Sequence, residues 1–364
     1  MRSFINLPDR RQLLLGSLAG VSGLLGWTTA AHGLPRKALV FPRDRGSHPD
    51  FRTEWWYITG HAVSSAADAR QFGFQLTFFR SRVEGTQAMA SKFAARQLIF
   101  AHAAITDMQG KQLRHDQRIA RAGFGVASAS EADMALKLRD WTLSAAGGSY
   151  SAELPATDFS ISLQFKETQG VLLQGNQGLS RKGPEAKQAS YYYSQPQLAA
   201  SGSLQLKGQT FQVAGKAWLD HEWSQELLHP SAVGWDWMGM NLDDGSALTA
   251  FRLRDKDGNK VWAGGSLRSP VGGLRIFGPE EATFQAVRSW TSPLTGTTYP
   301  VEWQVSTPLA TYTVKAVIDN QELDSRSSTG AIYWEGLSEL IDSHGKRVGM
   351  GYLEMTGYAQ ALKL

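Results

Sequence analysis

Cysteine is absent from all 364 residues. Its absence excludes disulfides, thiolate zinc sites, a cysteine nucleophile and a lipid anchor carried on cysteine. Dense basic runs are missing too. The formal charge is +4, and Arg2, Arg10 and Arg11 against Asp9 supply half of it. Nothing remains that could track a phosphate backbone, so nucleic acid is not an expected partner. No Gly-x-Ser-x-Gly elbow occurs, since Gly264-Gly265-Ser266-Leu267 is followed by Arg268. His221-Glu222 opens like a zinc-binding helix, but Gln225 stands where its second histidine would be. The eight histidines show no ligand spacing, and Gly175-Asn176-Gln177-Gly178 precedes no helical pattern and is a turn. Neither a metal nor a cofactor is expected.

Helical periodicity is also scarce beyond the first 33 residues. Apolar residues instead alternate at period two, as in Phe72-Phe74-Leu76-Phe78, Phe159-Ile161-Leu163-Phe165 and Tyr312-Val314-Ala316-Ile318. Lys207-Gly208 and Asp257-Gly258 sit where hairpin turns are expected. Short helices could lie near Pro184–Lys187 or Ser224–His229. Many short antiparallel strands over this length predict an all-β protein of barrels or sandwiches. Residues 1–33 read as a targeting segment outside the fold. Arg10-Arg11 precede an apolar stretch ending near Trp27, and Thr29-Ala30-Ala31 and Ala31-His32-Gly33 both offer small residues for cleavage. Paired arginines before a moderately apolar core predict twin-arginine export to the periplasm or beyond.

Aromatic residues are plentiful, with twelve tryptophans in the chain. Four of them, Trp218, Trp223, Trp235 and Trp237, surround Asp220, His221, Glu222 and Asp236. Carboxyl groups pressed among indoles resist ionising, and indole faces attract positive charge. A site so built could protonate an apolar substrate and shelter the resulting cation. The plainer alternative is a tryptophan-rich core with ion-paired acids at its rim. A second such block is Glu54-Trp55-Trp56-Tyr57. On a strand, Glu54, Trp56 and Ile58 point one way and Trp55, Tyr57 and Thr59 the other. The plainer role for Glu54 is pairing with Arg52 or Arg43. Glu54-Trp55-Trp56-Tyr57 leading to Phe74–Arg80 is echoed by Trp235-Asp236-Trp237 leading to Leu248–Arg254, which suggests two related halves meeting near His221–Val233. Ligand sites favour such junctions.

These blocks resemble the carotenoid 1,2-hydratase and AttH-like family. The resemblance rests on Phe41-Pro42-Arg43-Asp44, His48-Pro49, Glu54-Trp55-Trp56-Tyr57, Gly73–Arg80, Ala101–Ala104 and Ser190-Tyr191-Tyr192-Tyr193-Ser194. Asp220-His221-Glu222-Trp223, Gly234–Trp237, Asp243-Asp244-Gly245, Gly351–Glu354 and Thr356-Gly357-Tyr358 extend it over residues 38–364. It implies two consecutive lipocalin-like barrels, residues 38–222 and 228–364, with a ligand site near their junction. Family hydratases add water across a terminal double bond without a redox cofactor, and their essential pattern resembles Asp220-His221-x-Trp223 followed by Trp235-Asp236-Trp237. This chain departs from the pattern at Met238-Gly239-Met240, where water-positioning polar residues are expected, and it looks more like the exported branch labelled as secreted hydrolases.

The resulting expectation is an exported protein holding an elongated apolar ligand, a lipid or isoprenoid, in an aromatic cavity between its domains. Asp220 or Asp236 would be the general acid, His221 the relay and Glu54 the water activator, all reaching one cavity. Trp55, Trp56, Tyr57, Trp223, Trp235 and Trp237 would form its walls. The rival is a carrier delivering a lipid to an envelope ABC transport system. A hydrolase is a third possibility, for which no nucleophile is visible.

Overall fold

A computed structural model describes residues 33–65 and 69–362. The expected targeting segment therefore lies outside the described residues, apart from Gly33. Two single-turn 3₁₀ segments, Arg43–Arg45 and Glu84–Thr86, interrupt an otherwise all-β chain. Both regions expected to hold short helices lack them. Ser224 instead belongs to strand Gln209–Glu226, where its hydroxyl donates to the carbonyl of Ala189 at 2.8 Å. Cross-strand pairing there outweighs a local helical turn.

The alternating runs become strands for the reason they alternate: each buries one apolar row. Phe72, Phe74, Leu76 and Phe78 lie in strand Gln71–Arg82 and are fully buried. Phe159 to Phe165 do the same in strand Phe159–Lys166, while Ile318 falls just beyond strand Thr311–Ala316. Lys207 and Gly208 both take left-handed φ, +50° and +77°, and join the long strands Ala189–Leu206 and Gln209–Glu226. Positive φ at both central residues is what a tight hairpin turn matching strand twist requires.

Thirteen strands between Thr53 and Glu226 form one antiparallel sheet and ten between Gly234 and Met355 a second. Each is built around the same central pairing. Strand Thr53–Ser64 pairs with its neighbour in sequence, Gln71–Arg82, and also with the last strand of its sheet, Gln209–Glu226. Strand Gly234–Leu242 likewise pairs with Ala247–Arg254 and with the last strand, Arg347–Met355. From the edge strand Gln112–Arg121 of the first sheet, Arg118 lies 4.4 Å from the centre of the Trp141 ring and donates to the Pro155 carbonyl at 2.7 Å, both near the sheet's other end. This contact draws the sheet towards closure.

Each barrel has its own core, around Trp56, Phe74, Phe165 and Trp223 in the first and Met238, Trp303, Trp334 and Leu353 in the second. A third apolar cluster lies between them, with Tyr57, Trp218, Trp237, Phe251, Leu337 and Tyr352. The joint is also pinned by hydrogen bonds. Gln197, at φ +56°, sits in a bulge that breaks the register between Gln195 and Leu198. Its N–H donates to Asn241 at 2.8 Å, and its side-chain amide donates to the carbonyls of Leu242 and Ser246. Asn241 donates back to the Ala217 carbonyl at 3.0 Å. Bulges commonly re-aim a side chain in this way.

Close strand approach also explains Gly60, where a Cβ would lie 2.3 Å from the Lys216 carbonyl oxygen and 2.5 Å from the Phe74 ring. Gly60→Ala is expected to destabilise the protein by about 1–3 kcal/mol through overpacking. Denaturant unfolding measures this, and an unchanged midpoint would contradict the packing described.

Candidate functional site

Strand alternation divides the expected site residues between different compartments. Trp56, His221 and Trp223 point into the first barrel, whereas Trp55, Tyr57, Trp218 and Asp220 point towards the second. Asp220 and His221 are adjacent in sequence and therefore stand on opposite faces of the sheet. The same parity on strand Gly234–Leu242 sends Asp236 into the second barrel and Trp235 and Trp237 towards the joint. Of the four residues expected to converge, Glu54 and Asp220 line one cavity, while His221 and Asp236 do not reach it.

Inside the first barrel, Glu54 is fully enclosed and every lone pair of its carboxylate is engaged. Arg80, directly opposite on the neighbouring strand, donates through Nε at 2.7 Å. Ser47 Oγ donates at 3.0 Å, the His48 N–H at 2.9 Å, and His48 Nδ1 and His221 Nε2 stand 2.7 and 3.0 Å away. The partner is thus Arg80 rather than Arg52 or Arg43. His48 Nε2 contacts Asp44 at 2.9 Å, so its ring bridges two carboxyl groups while lying flat on Trp223 with centroids 3.8 Å apart. Burial alone would raise the Glu54 pKa, but hydrogen bonds from His221 and His48 and the Arg80 charge hold it well below the usual carboxylate range. Asp44 is lowered to about 2, because its bonds to His48 and the Val40 N–H and the nearby Lys37 outweigh burial. Burial lowers His221 to about 4 against the opposing pull of Glu54.

His48, Glu54 and His221 could together offer donor atoms to a metal, all within 4.8 Å of one another. Histidine spacing in the sequence showed no sign of this set. The three groups already bond one another directly, and the Arg80 guanidinium occupies the same carboxylate, which opposes a second cation there.

Between the barrels lies a cavity of about 290 Å³, walled by Trp55, Tyr57, Phe79, Trp235, Trp237 and Phe251. Trp56 and Trp223 are not among its walls. Five acids line it: Glu54, Asp220 and Glu222 from the first sheet, Glu335 and Glu354 from the second, and Glu54 is already held by Arg80. Glu222 has a cation, Lys182 Nζ at 3.0 Å, which also lies 4.3 Å from the centre of the Phe251 ring. Asp220, Glu335 and Glu354 have no cation within ion-pair distance among the described residues. Asp220 accepts from Tyr192 at 2.8 Å, Ser194 at 2.5 Å and Trp218 at 2.8 Å. Trp237 Nε1 donates to the Tyr192 hydroxyl at 3.2 Å, linking the second domain to Asp220. Burial nevertheless raises Asp220 to about 7, outweighing those three donors, and the Glu222 charge adds to the rise. Glu354 also rises to about 7 through burial, with the Asp220 and Glu222 charges adding to it. Glu335 faces Glu354 directly across the strand pair and is pushed well up by burial and by that neighbour. Like charges opposed on one face cannot both ionise cheaply.

Asp236 occupies a separate place at the open end of the second barrel. It is fully enclosed, with Arg252 Nε at 2.7 Å, Arg254 Nε at 3.4 Å and the Tyr358 hydroxyl donating at 2.8 Å. Residues that sequence reasoning missed at the joint are Lys182, Tyr192, Ser194, Glu335 and Glu354. Tyr192, Ser194 and Glu354 stood in the blocks that carry the family resemblance, without a role. Glu335, in Tyr333-Trp334-Glu335-Gly336, repeats the acid-beside-indole composition of Glu54-Trp55.

The raised carboxyls give a pH signature. A carboxyl whose folded pKa exceeds its unfolded value binds more protons folded, so stability is fullest below about pH 4 and falls as pH rises through about 7. This contribution opposes that of Asp44 and Glu54, which is present above the ordinary carboxylate range and lost on acidification. Asp220→Asn should remove part of the loss between pH 5 and 8, on the order of 2–4 kcal/mol shared with Glu354. Urea unfolding of both proteins at the two pH values measures it. An identical pH dependence in the variant would show that Asp220 ionises normally.

A family model described as AttH-like matches residues 32–358. The crystal structure of a Nitrosomonas europaea protein designated as an AttH shares 45% identity and superposes with a TM-score of 0.83, covering 90% of this chain and 99% of that one. Kievitone hydratase from Nectria haematococca matches at 13% identity and a TM-score of 0.68, over 90% of this chain and 96% of its own. CghA, in a structure with Sch210972, matches at 12% identity and a TM-score of 0.54, over 89% and 94%. These two show that the fold is shared. Among curated proteins nothing matches. The two antiparallel sheets, built around like central pairings, are lipocalin-like, and the chain belongs to the AttH-like family.

Proposed function

We propose that the cavity between the barrels binds an elongated apolar molecule of the lipid or isoprenoid class, and that Asp220 protonates it in acid–base chemistry such as addition of water to a double bond. The carrying observation is a carboxyl poised near pKa 7 in a wall of indoles and phenols. A general acid works best when its pKa lies near the working pH. Asp220 would pass its proton to one alkene carbon, and the positive charge would develop on the other. Trp55 and Trp237 offer π faces to that cation. Water then bonds to the cationic carbon, and its surplus proton goes to the carboxylate left on Asp220 or to the Glu335–Glu354 pair. His221 acts behind the wall, while Glu54 reaches the cavity's edge with its carboxylate already engaged by Arg80, Ser47 and His48. The fold is shared with kievitone hydratase, by name a hydratase, which supports the reaction class. The targeting character of residues 1–33 supports an activity in the periplasm or outside the cell.

A second reading, a carrier serving an envelope transport system, is favoured by one observation: the three hydrogen bonds that already occupy Asp220. Ligand released from gently purified protein and identified by mass spectrometry supplies the compound for the test. Asp220→Asn should bind it with unchanged affinity and lose turnover by roughly 10²–10⁴-fold. Trp237→Ala should weaken binding about tenfold by removing apolar wall. Absence of turnover in the wild type, with binding intact, would select the carrier.

A further inference from the structure

The acid–arginine pair of the first barrel recurs in the second, but with a different covering. Glu54 faces Arg80 across the first two strands of one sheet, and Asp236 faces Arg252 across the first two strands of the other. In the first barrel the chain itself seals the pair. Arg80 spends its remaining donors on the His48 carbonyl at 2.8 Å and on Gln97 at 2.8 Å, and the segment carrying Ser47 and His48 lies over Glu54. In the second barrel the covering segment comes from the other end of the chain, through Thr356 and Tyr358, and it leaves a cavity of about 630 Å³ lined by both arginines.

Charge is unbalanced there. Arg252 and Arg254 set two guanidinium groups against the single carboxylate of Asp236, and Arg254 is only 5% exposed. Arg252 Nε serves Asp236, and Arg254 uses Nε for Asp236 and Nη2 for the Thr356 carbonyl. Arg252 Nη2 and Arg254 Nη1 have no partner among the described residues. Trp303, 1% exposed, lines the same cavity, and its indole N–H is without a hydrogen-bond partner. A buried indole N–H is normally satisfied, and the two guanidinium groups otherwise rest on rings, Arg252 4.8 Å from the centre of Trp303 and Arg254 3.7 Å from that of Tyr358. The remaining wall combines apolar Phe284, Ala286 and Pro300 with Tyr358, Gln360 and a Lys256–Asp257 ion pair that balances its own charge.

We infer that the open end of the second barrel is a binding site, separate from the cavity between the barrels, for a monoanionic carboxylate bearing an apolar chain. The single surplus positive charge calls for a monoanion, and guanidinium donors match a carboxylate's two oxygens. The size of the cavity lies within the range of small-molecule sites and exceeds what an inorganic anion fills. The carboxylate would pair with Arg252 and Arg254, and the chain would lie along Phe284, Pro300 and Trp303. In effect the ligand would do for Arg252 what the His48 carbonyl does for Arg80.

Calorimetric titration of the full chain with decanoate, decanol and inorganic phosphate tests this. Decanoate should bind at least about tenfold more tightly than decanol, and phosphate should not compete with it. Arg252→Gln leaves Asp236 paired to Arg254 and Tyr358, and should weaken decanoate about tenfold without changing turnover or binding in the cavity between the barrels. Trp303→Phe keeps the ring but removes the N–H and should weaken decanoate a few-fold. Equal affinity for decanol, or phosphate binding as tight as decanoate, would overturn the assignment. So would decanoate affinity unchanged in a folded Arg252→Gln, or in Trp303→Phe should the arginine variant fail to fold.

Discussion

An acid on the first strand of each barrel, held by an arginine on the second, is the constraint around which both halves are organised. Glu54 and Arg80 are each almost fully buried, and taking such charges out of water costs several kcal/mol per ion unless geometry and further hydrogen bonds compensate. Compensation comes from parts of the chain distant in sequence: Ser47 and His48 from the entry segment and His221 from the closing strand. The ion pair therefore brings the segment before the first strand and the last strand of the sheet to one point. Breaking it by removing one partner would leave an uncompensated charge inside a barrel, a loss of the order of 3–5 kcal/mol.

The cavity at the joint obeys the opposite electrostatics. There the acids outnumber nearby cations, and burial is relieved by protonation instead of pairing. One strand, Gln209–Glu226, serves both regimes: His221 stabilises a carboxylate on one face while Asp220 resists becoming one on the other. The distinction lies in which side of a single sheet a carboxyl occupies, since the same backbone supports both.

Much of this was legible in the residues. Period-two apolar rows identified the strands around Phe74 and Leu163, Lys207-Gly208 marked its hairpin, and the split of Trp55 and Tyr57 from Trp56 followed from alternation. The echo between Glu54–Arg80 and Asp236–Arg254 proved to be a repeated strand pairing with the same acid–arginine register. The same alternation rule separates Asp220 from His221 and Asp236 from Trp237, but proximity in sequence suggested cooperation. What composition could not reveal was long-range: Glu335 and Glu354 meet Asp220 only because the last strands of the second sheet return beside its first. His48 reaches His221 through a chain reversal that no spacing encodes.

Sharing one sheet between two compartments ties their contents to parity. Deleting a single residue from strand Thr53–Ser64 ahead of Glu54 would rotate every following side chain to the opposite face. The ionised carboxylate would then be delivered to the ligand chamber, and a phenol to the barrel interior. A two-residue length change preserves facing and disturbs only reach. An odd-numbered change exchanges chamber for core unless a bulge absorbs it, as the one at Gln197 does in strand Ala189–Leu206.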